Sequence, residues 1–232
     1  MIDIHDLIFH WRPDGPRVLD IKSFTVAAGE RLFLQGPSGS GKTSLLNVLG
    51  GIALPQRGRV EVLGQDLSRL SGAARDRLRA DHLGLIFQVF NLVPYLSLLE
   101  NVALPCLFSL TRRQRAVAQD GSAAAAAARL LAAMDISVEA FAGQPVSALS
   151  TGQQQRVAAA RALIGEPEII IADEPTSALD ATNTERFLDL LFQELRKRET
   201  TLLFVSHDER LAGRFDRTEV LSSLLTPSGS AS

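Results

Sequence analysis

The 232-residue chain has a single cysteine, Cys106. One thiol cannot build a disulfide framework or a cysteine-rich metal site within the chain. It reads as a small apolar packing residue in a reducing, cytosolic setting. Long hydrophobic runs are also missing. No stretch reaches the roughly 18 apolar residues of a membrane-spanning helix, and the longest candidate, 123–134, is mostly alanine and contains Arg129. Any membrane-embedded part is therefore expected on another chain. Residues Met1 to Trp11 lack a basic start followed by an apolar run and do not read as a secretory signal. No excess of one charge is present: 24 basic and 26 acidic residues leave a net charge of -2, so the broad basic face that nucleic acid requires is not expected. No internal repeat appears.

What the chain does have is apolar content. Hydrophobic residues make up 46% of it, enough to bury a substantial core in one domain. Short β-like runs come first, at Ile2 to Phe9, Val18 to Val26 and Arg31 to Gln35. A helix is expected from Thr43 to Leu49, a strand from Gly58 to Leu63, a charged helix from Arg75 to Asp81 and a short buried strand from Leu83 to Phe87. The stretch from about 95 to 165 reads as mostly helical, with Thr111 to Met134 broken near Asp120-Gly121 and another helix over Gly152 to Leu163. Then Glu168 to Ala172 and Thr201 to Ser206 are apolar runs suited to buried parallel strands, separated by an amphipathic helix over Thr184 to Glu199. Alternating strands and helices argue for a parallel sheet with helical crossovers. The small, polar residues 226–232 read as a disordered tail.

Gly36-Pro37-Ser38-Gly39-Ser40-Gly41-Lys42-Thr43 fits the pattern G-x-x-x-x-G-K-[ST], with strand RLFLQ before it and helix TSLLNVLG, which begins with Thr43 and Ser44, after it. The glycines let backbone N–H groups wrap a phosphate closely, and the following helix presents its positive end to the same anion. Lys42 adds a charge for the β- and γ-phosphates, and Thr43 a hydroxyl for Mg²⁺. This loop indicates a nucleoside triphosphate without specifying the family. Further along, Ile169-Ile170-Ile171-Ala172-Asp173-Glu174 places two acids at the end of an apolar strand, where ligands of parallel sheets bind. Asp173 suits Mg²⁺, directly or through water. Glu174 suits the general base that orients the attacking water.

Leu149-Ser150-Thr151-Gly152-Gln153-Gln154-Gln155-Arg156 ends 17 residues before Asp173. It resembles the signature of ABC ATPases, usually LSGGQ. The order of elements matches that family too: phosphate loop, Gln88, signature, Asp173-Glu174, then Ser177-Ala178-Leu179-Asp180 and Ser206-His207-Asp208, together spanning about residues 11 to 208. The resemblance implies an α/β fold. It would comprise a P-loop NTPase core with a parallel sheet, an N-terminal antiparallel β-subdomain and an inserted helical subdomain. The core and β-subdomain would span about 1–87 and 166–225, and the helical part about 88–165.

It further implies a head-to-tail dimer of two copies, with ATP sandwiched between the phosphate loop of one copy and the signature of the other. Gly36, Ser38, Gly39, Ser40, Gly41, Lys42, Thr43 and Ser44 would bind ATP and Mg²⁺ in one copy; Ser150, Thr151, Gly152 and Gln153 would meet the γ-phosphate from the other. Gln88 would reach Mg²⁺ and sense the γ-phosphate, His207 would contact it, and Asp180 would lie at the dimer interface. Trp11 would stack on adenine. Thr151 departs from the family's usual glycine.

A narrower resemblance, carried by Phe87 to Tyr95 and Leu99 to Pro105, is to the ATPases of lipoprotein release and macrolide export. It implies a peripheral subunit on the cytoplasmic face of the inner membrane, driving export or membrane extraction through separate transmembrane chains, with no nucleic acid partner. Phe90, Leu92, Val93, Tyr95 and Leu96 would form a socket for a helix of the membrane partner. Two rivals are set against this reading: a soluble ABC ATPase of DNA repair, chromosome maintenance or translation, and a cassette that binds ATP without hydrolysing it.

Overall fold

A computed structural model of the chain describes residues 1–37, 39–141 and 144–225. Ser38 and the tail 226–232 lie outside the described residues. The chain forms two compact units, one made of residues 1–76 and 203–232 and the other of residues 77–202.

The first unit opens with β1 (Ile2–Phe9), β2 (Leu19–Val26), β3 (Arg31–Gln35), α1 (Lys42–Leu49), β4 (Arg57–Val62) and β5 (Gln65–Asp66). An antiparallel sheet runs in the order β2-β1-β4-β5, with Ile4 opposite Phe24 on one side and Val60 on the other. Apolar alternation in β1 slips by one residue between Ile4 and Leu7. The register shift between His5 and Ile8, with Asp6 at φ 49°, accounts for it. A bulge inserts one residue and so returns Leu7 and Phe9 to the buried face.

Helix α2 (Gly72–His82) leads into the second unit. Its elements are β6 (Leu83–Ile86), α3 (Leu98–Ala103), α4 (Pro105–Phe108), α5 (Leu110–Asp120), α6 (Ala123–Ala133), α7 (Thr151–Leu163), β7 (Ile169–Asp173) and α8 (Ala181–Arg196). The break in the alanine-rich segment falls at Gly121 and Ser122, where Gly121 closes α5 and the Ser122 hydroxyl accepts from the Ala125 amide to start α6. Strands β6 and β7 pair in parallel, Ile86 beside Ala172. Helix α7 packs on β6 so closely that a Cβ on Gly84 would lie 2.3 Å from Ile170 Cδ1 and 2.4 Å from the Ala162 carbonyl oxygen. A side chain end can move, but a helix carbonyl cannot. Gly84→Ala is therefore expected to cost about 1–3 kcal/mol through overpacking, lowering Tm by roughly 2–4 °C for each kcal/mol; thermal unfolding measures it.

The chain then runs through β8 (Thr201–Ser206) back into the first unit, which ends with β9 (Arg217–Val220) and α9 (Leu221–Leu224). There β3 pairs in parallel with β9. Phe33 of β3 and Phe204 of β8 stack at 6.1 Å, and Phe215 closes on both at 5.2 and 5.0 Å. Cys106, on α4, is buried as the packing residue expected of it, and burial pushes its thiol pKa up.

Candidate functional site

In the first unit, buried Leu32, Phe33 and Leu34 anchor β3, while Leu45, Val48 and Leu49 anchor α1. The glycine-rich loop is what remains between them. Gly39 and Gly41 have φ of 80° and 98°, a region that costs other residues roughly 1–2 kcal/mol. At Gly39 a Cβ would meet nothing within 4 Å, so the backbone conformation demands glycine there, and lack of space does not. The N-cap of α1 is Gly41, and no side chain of the described residues caps the helix. A helix amino terminus without a capping side chain suits an anion.

Lys42 Nζ donates to the carbonyls of Gly36 at 2.6 Å and Pro37 at 3.0 Å. This holds the ammonium inside the curve of the loop. Among the described residues the buried Ser40 hydroxyl has no hydrogen-bond partner, an arrangement that costs free energy unless a ligand completes it. Thr43 is exposed at the start of α1. Trp11 Nε1 donates to Ser44 Oγ at 3.1 Å, and Phe9 supports the indole edge-on at 5.0 Å. The ring is thereby fixed next to the first turn of α1 while 58% exposed. His207, also exposed, follows the last residue of β8. Asp208 next to it accepts from Arg210, whose guanidinium holds the carboxyl below its usual range.

In the second unit, the register of β6 and β7 brings the carboxyl ends of both strands side by side. Exposed Gln88 leaves one end, and Asp173 closes the other. Glu174 follows, buried and with φ 47°. A non-glycine residue in this conformation carries strain of about 1–3 kcal/mol, which folds retain chiefly at functional sites.

Ser150 caps α7, its hydroxyl accepting from the Gln153 amide while the Gln153 side chain accepts from the Ser150 amide. Thr151, the departure from the usual signature, is the exposed first residue of that helix. Gly152 has room: an added Cβ would sit 3.5 Å from Asn183 Oδ1 and 3.7 Å from Leu179 Cδ2, ordinary contact distances. Asp180 caps α8, and hydrogen bonds from the Asn183 backbone and side chain lower its pKa. Of the proposed socket, Tyr95 and Leu96 line a cavity of about 450 Å³ together with Leu98, Val138, Phe141 and Pro145. Phe90, Leu92 and Val93 are not part of its lining.

Two residues that sequence reasoning passed over organise this region. Asn101 and Arg161 are buried and bond to the backbone between Phe90 and Ser97. The available signal was a polar side chain inside an apolar run: asparagine in LLENVAL and arginine in AAARALI.

Residues 19–177 match the family model described as ABC transporter. The chain is 42% identical over 206 residues to the lipoprotein-releasing system ATP-binding protein LolD of Syntrophotalea carbinolica, covering 88% of this chain and 87% of that protein. It is 43% identical over 192 residues to the LolD protein of Novosphingobium aromaticivorans, covering 83% and 82%. Among solved structures, the ATP-binding cassette MJ0796, in a dimeric post-hydrolysis state bound to ADP and Pi, superimposes with a TM-score of 0.79 at 33% identity, covering 95% of this chain and 94% of that one. Among the described residues, no helix is long and apolar enough to cross a membrane.

Proposed function

The chain belongs to the ABC transporter family as an ATP-hydrolysing subunit, and from that premise we propose that two copies pair head to tail around ATP to drive export or membrane extraction, with a lipid-anchored protein as cargo, through separate transmembrane chains at the cytoplasmic face of the inner membrane. The observation that carries the pairing is Gly152. Within its own chain a Cβ would fit there, and its φ is not among the positive ones. Neither packing nor backbone therefore calls for glycine. Close approach of something outside the chain does, and the γ-phosphate held by the loop of a second copy has that character.

Roles follow from the chemistry of each residue. Loop amides, Lys42 and the Ser40 hydroxyl receive the phosphates, and Trp11 offers the adenine a fixed aromatic face. Thr43, Asp173 and Gln88 would each offer a hard oxygen donor of the kind that suits Mg²⁺, and the ion would supply positive charge to offset that of the phosphates. Glu174 accepts a proton from the attacking water, and its strained backbone fixes where the carboxylate stands. His207 donates to the γ-phosphate. From the partner copy, Ser150, Thr151, Gly152 and Gln153 present the α7 amino terminus to the same anion, with Asp180 at the interface. The names of the relatives support the lipoprotein cargo. The cavity lined by Tyr95 and Leu96 suits a helix of the membrane chain.

Gly152→Glu tests the pairing. A carboxylate in place of a small residue repels the γ-phosphate. The variant is expected to keep the wild-type Tm within about 2 °C, as surface substitutions do, and to bind ATP as a single chain. It should fail to pair with ATP in light scattering when combined with Glu174→Gln. Pairing at the level of the Glu174→Gln parent would exclude the head-to-tail arrangement.

A further inference from the structure

The segment from Val89 to Ser97 belongs to no helix or strand, and among the described residues its one internal backbone hydrogen bond runs from Leu96 to Val93. It includes Asn91 at φ 51° and carries Val89 and Tyr95 largely exposed. Two buried side chains hold it. Arg161 donates through Nη1 to the Asn91 carbonyl at 2.6 Å and through Nη2 to the Phe90 carbonyl at 2.7 Å. Asn101 accepts from the Val93 amide at 2.8 Å and donates to the carbonyls of Val93, Leu96 and Ser97 at 3.0 to 3.1 Å.

The two clamps divide the segment. Arg161 fixes the residues directly after Gln88. Asn101 fixes the stretch that lines the cavity, since Pro94, Tyr95, Leu96 and Ser97 all contribute to its wall. Arg161 stands on α7, the helix that Ser150 begins. Eleven residue steps along the helix separate the two, about 16 Å of rigid rod. A guanidinium is a planar fork whose donors have fixed directions, so holding two successive carbonyls sets the orientation of the segment as well as its distance. Arg161 is buried with no carboxylate bonded to it among the described residues, and that burial lowers its pKa. A buried cation answered only by carbonyl dipoles is costly, which makes packing alone a poor reason for arginine here.

We propose that Arg161 is a positioning residue for ATP hydrolysis, tying the signature helix α7 to the Gln88 segment so that Gln88 and Ser150 keep one fixed relation, with Asn101 extending the same tie to the cavity wall. The proposal rests on the reading of Gln88 as a contact to Mg²⁺ and the γ-phosphate.

Arg161→Lys keeps the charge and most of the stem but loses the fork. The steady-state ATPase of the full chain with Mg·ATP is expected to show kcat lowered on the order of 10-fold to 100-fold, as slight misplacement of a catalytic group does, with KM for ATP little changed. The pair with Gln88→Ala separates positioning from general weakening. If Arg161 acts through Gln88, adding Arg161→Lys to Gln88→Ala lowers kcat no further. Multiplying effects would mean that Arg161 acts elsewhere and would overturn the proposal, as would an unchanged kcat in Arg161→Lys alone. An unchanged kcat in Gln88→Ala would remove the reading of Gln88 itself, and the proposal with it.

Should Arg161→Lys not fold, Asn91→Val strains the same segment from outside without touching a buried group, because a β-branched residue resists the φ of 51° there. It should lower kcat in the same direction, and amide exchange of residues 89–97 should quicken in step. Faster exchange with unchanged kcat would overturn the proposal.

Discussion

Replacing Glu174 with glutamine is expected to lower kcat for ATP hydrolysis by roughly 10²-fold to 10⁴-fold, the contribution typical of a positioned general base, while ATP affinity stays near that of the parent chain. Glutamine keeps the size and one oxygen of glutamate but cannot take the proton from water. Because Glu174 is buried at the end of β7 with φ 47°, its side chain direction is set by the backbone, which the substitution leaves alone. Binding groups on the phosphate loop are untouched. The variant should therefore fill with ATP and accumulate as the ATP-bound pair, visible as a doubling of mass in light scattering. A variant that turned over ATP at the parental rate would remove Glu174 from the role of base.

Lys42→Ala is expected to act at the opposite step. The Lys42 ammonium is held by the Gly36 and Pro37 carbonyls at the centre of the loop, and it is the charge nearest the bound phosphates in the proposed arrangement. One charge-assisted hydrogen bond contributes about 1.5–3 kcal/mol, or ~10-fold to 100-fold in affinity. Alanine also leaves the two carbonyls without this donor, so the loop itself loosens. The clearest readout is thermal. Ligand present at about 100 times its Kd raises stability by roughly 2.7 kcal/mol. ATP should thus raise Tm by several degrees in the parent and in Glu174→Gln, and far less in Lys42→Ala at the same concentration. An undiminished ATP-dependent shift in Lys42→Ala would show that nucleotide binds without the loop lysine.

The two variants divide the account into binding and chemistry, and both residues were legible in the sequence for a physical reason. Strands β3 and β8 are short apolar runs closed by turn residues, and their limits follow from the sequence as RLFLQ and TLLFVS. The phosphate loop combines side chain types that have little other use together. Elements set by partners or geometry were harder to see. Strand β9, RTEV, has no apolar pattern; it is a strand because β3 pairs with it and because Arg217 bonds Glu30 and Glu219. Helix α8 begins at Ala181, earlier than its amphipathic pattern, because Asp180 caps it. The left-handed backbone of Glu174 leaves no mark on residue type. Arg161 and Asn101 do leave one, but a polar residue in an apolar run also fits an exposed face of a helix, and only the carbonyls it meets distinguish the two.

The central claim is that this chain supplies ATP hydrolysis to a transporter whose membrane-spanning part is another chain. A tagged copy recovered from gently solubilised membranes of the source organism, with the co-purifying proteins identified by mass spectrometry, tests it most directly. The account predicts a multi-spanning protein in roughly stoichiometric amount, whose identity would point to the cargo. Recovery of the chain only from the soluble fraction, with no membrane protein attached, would contradict the claim and favour an ABC ATPase that works in solution.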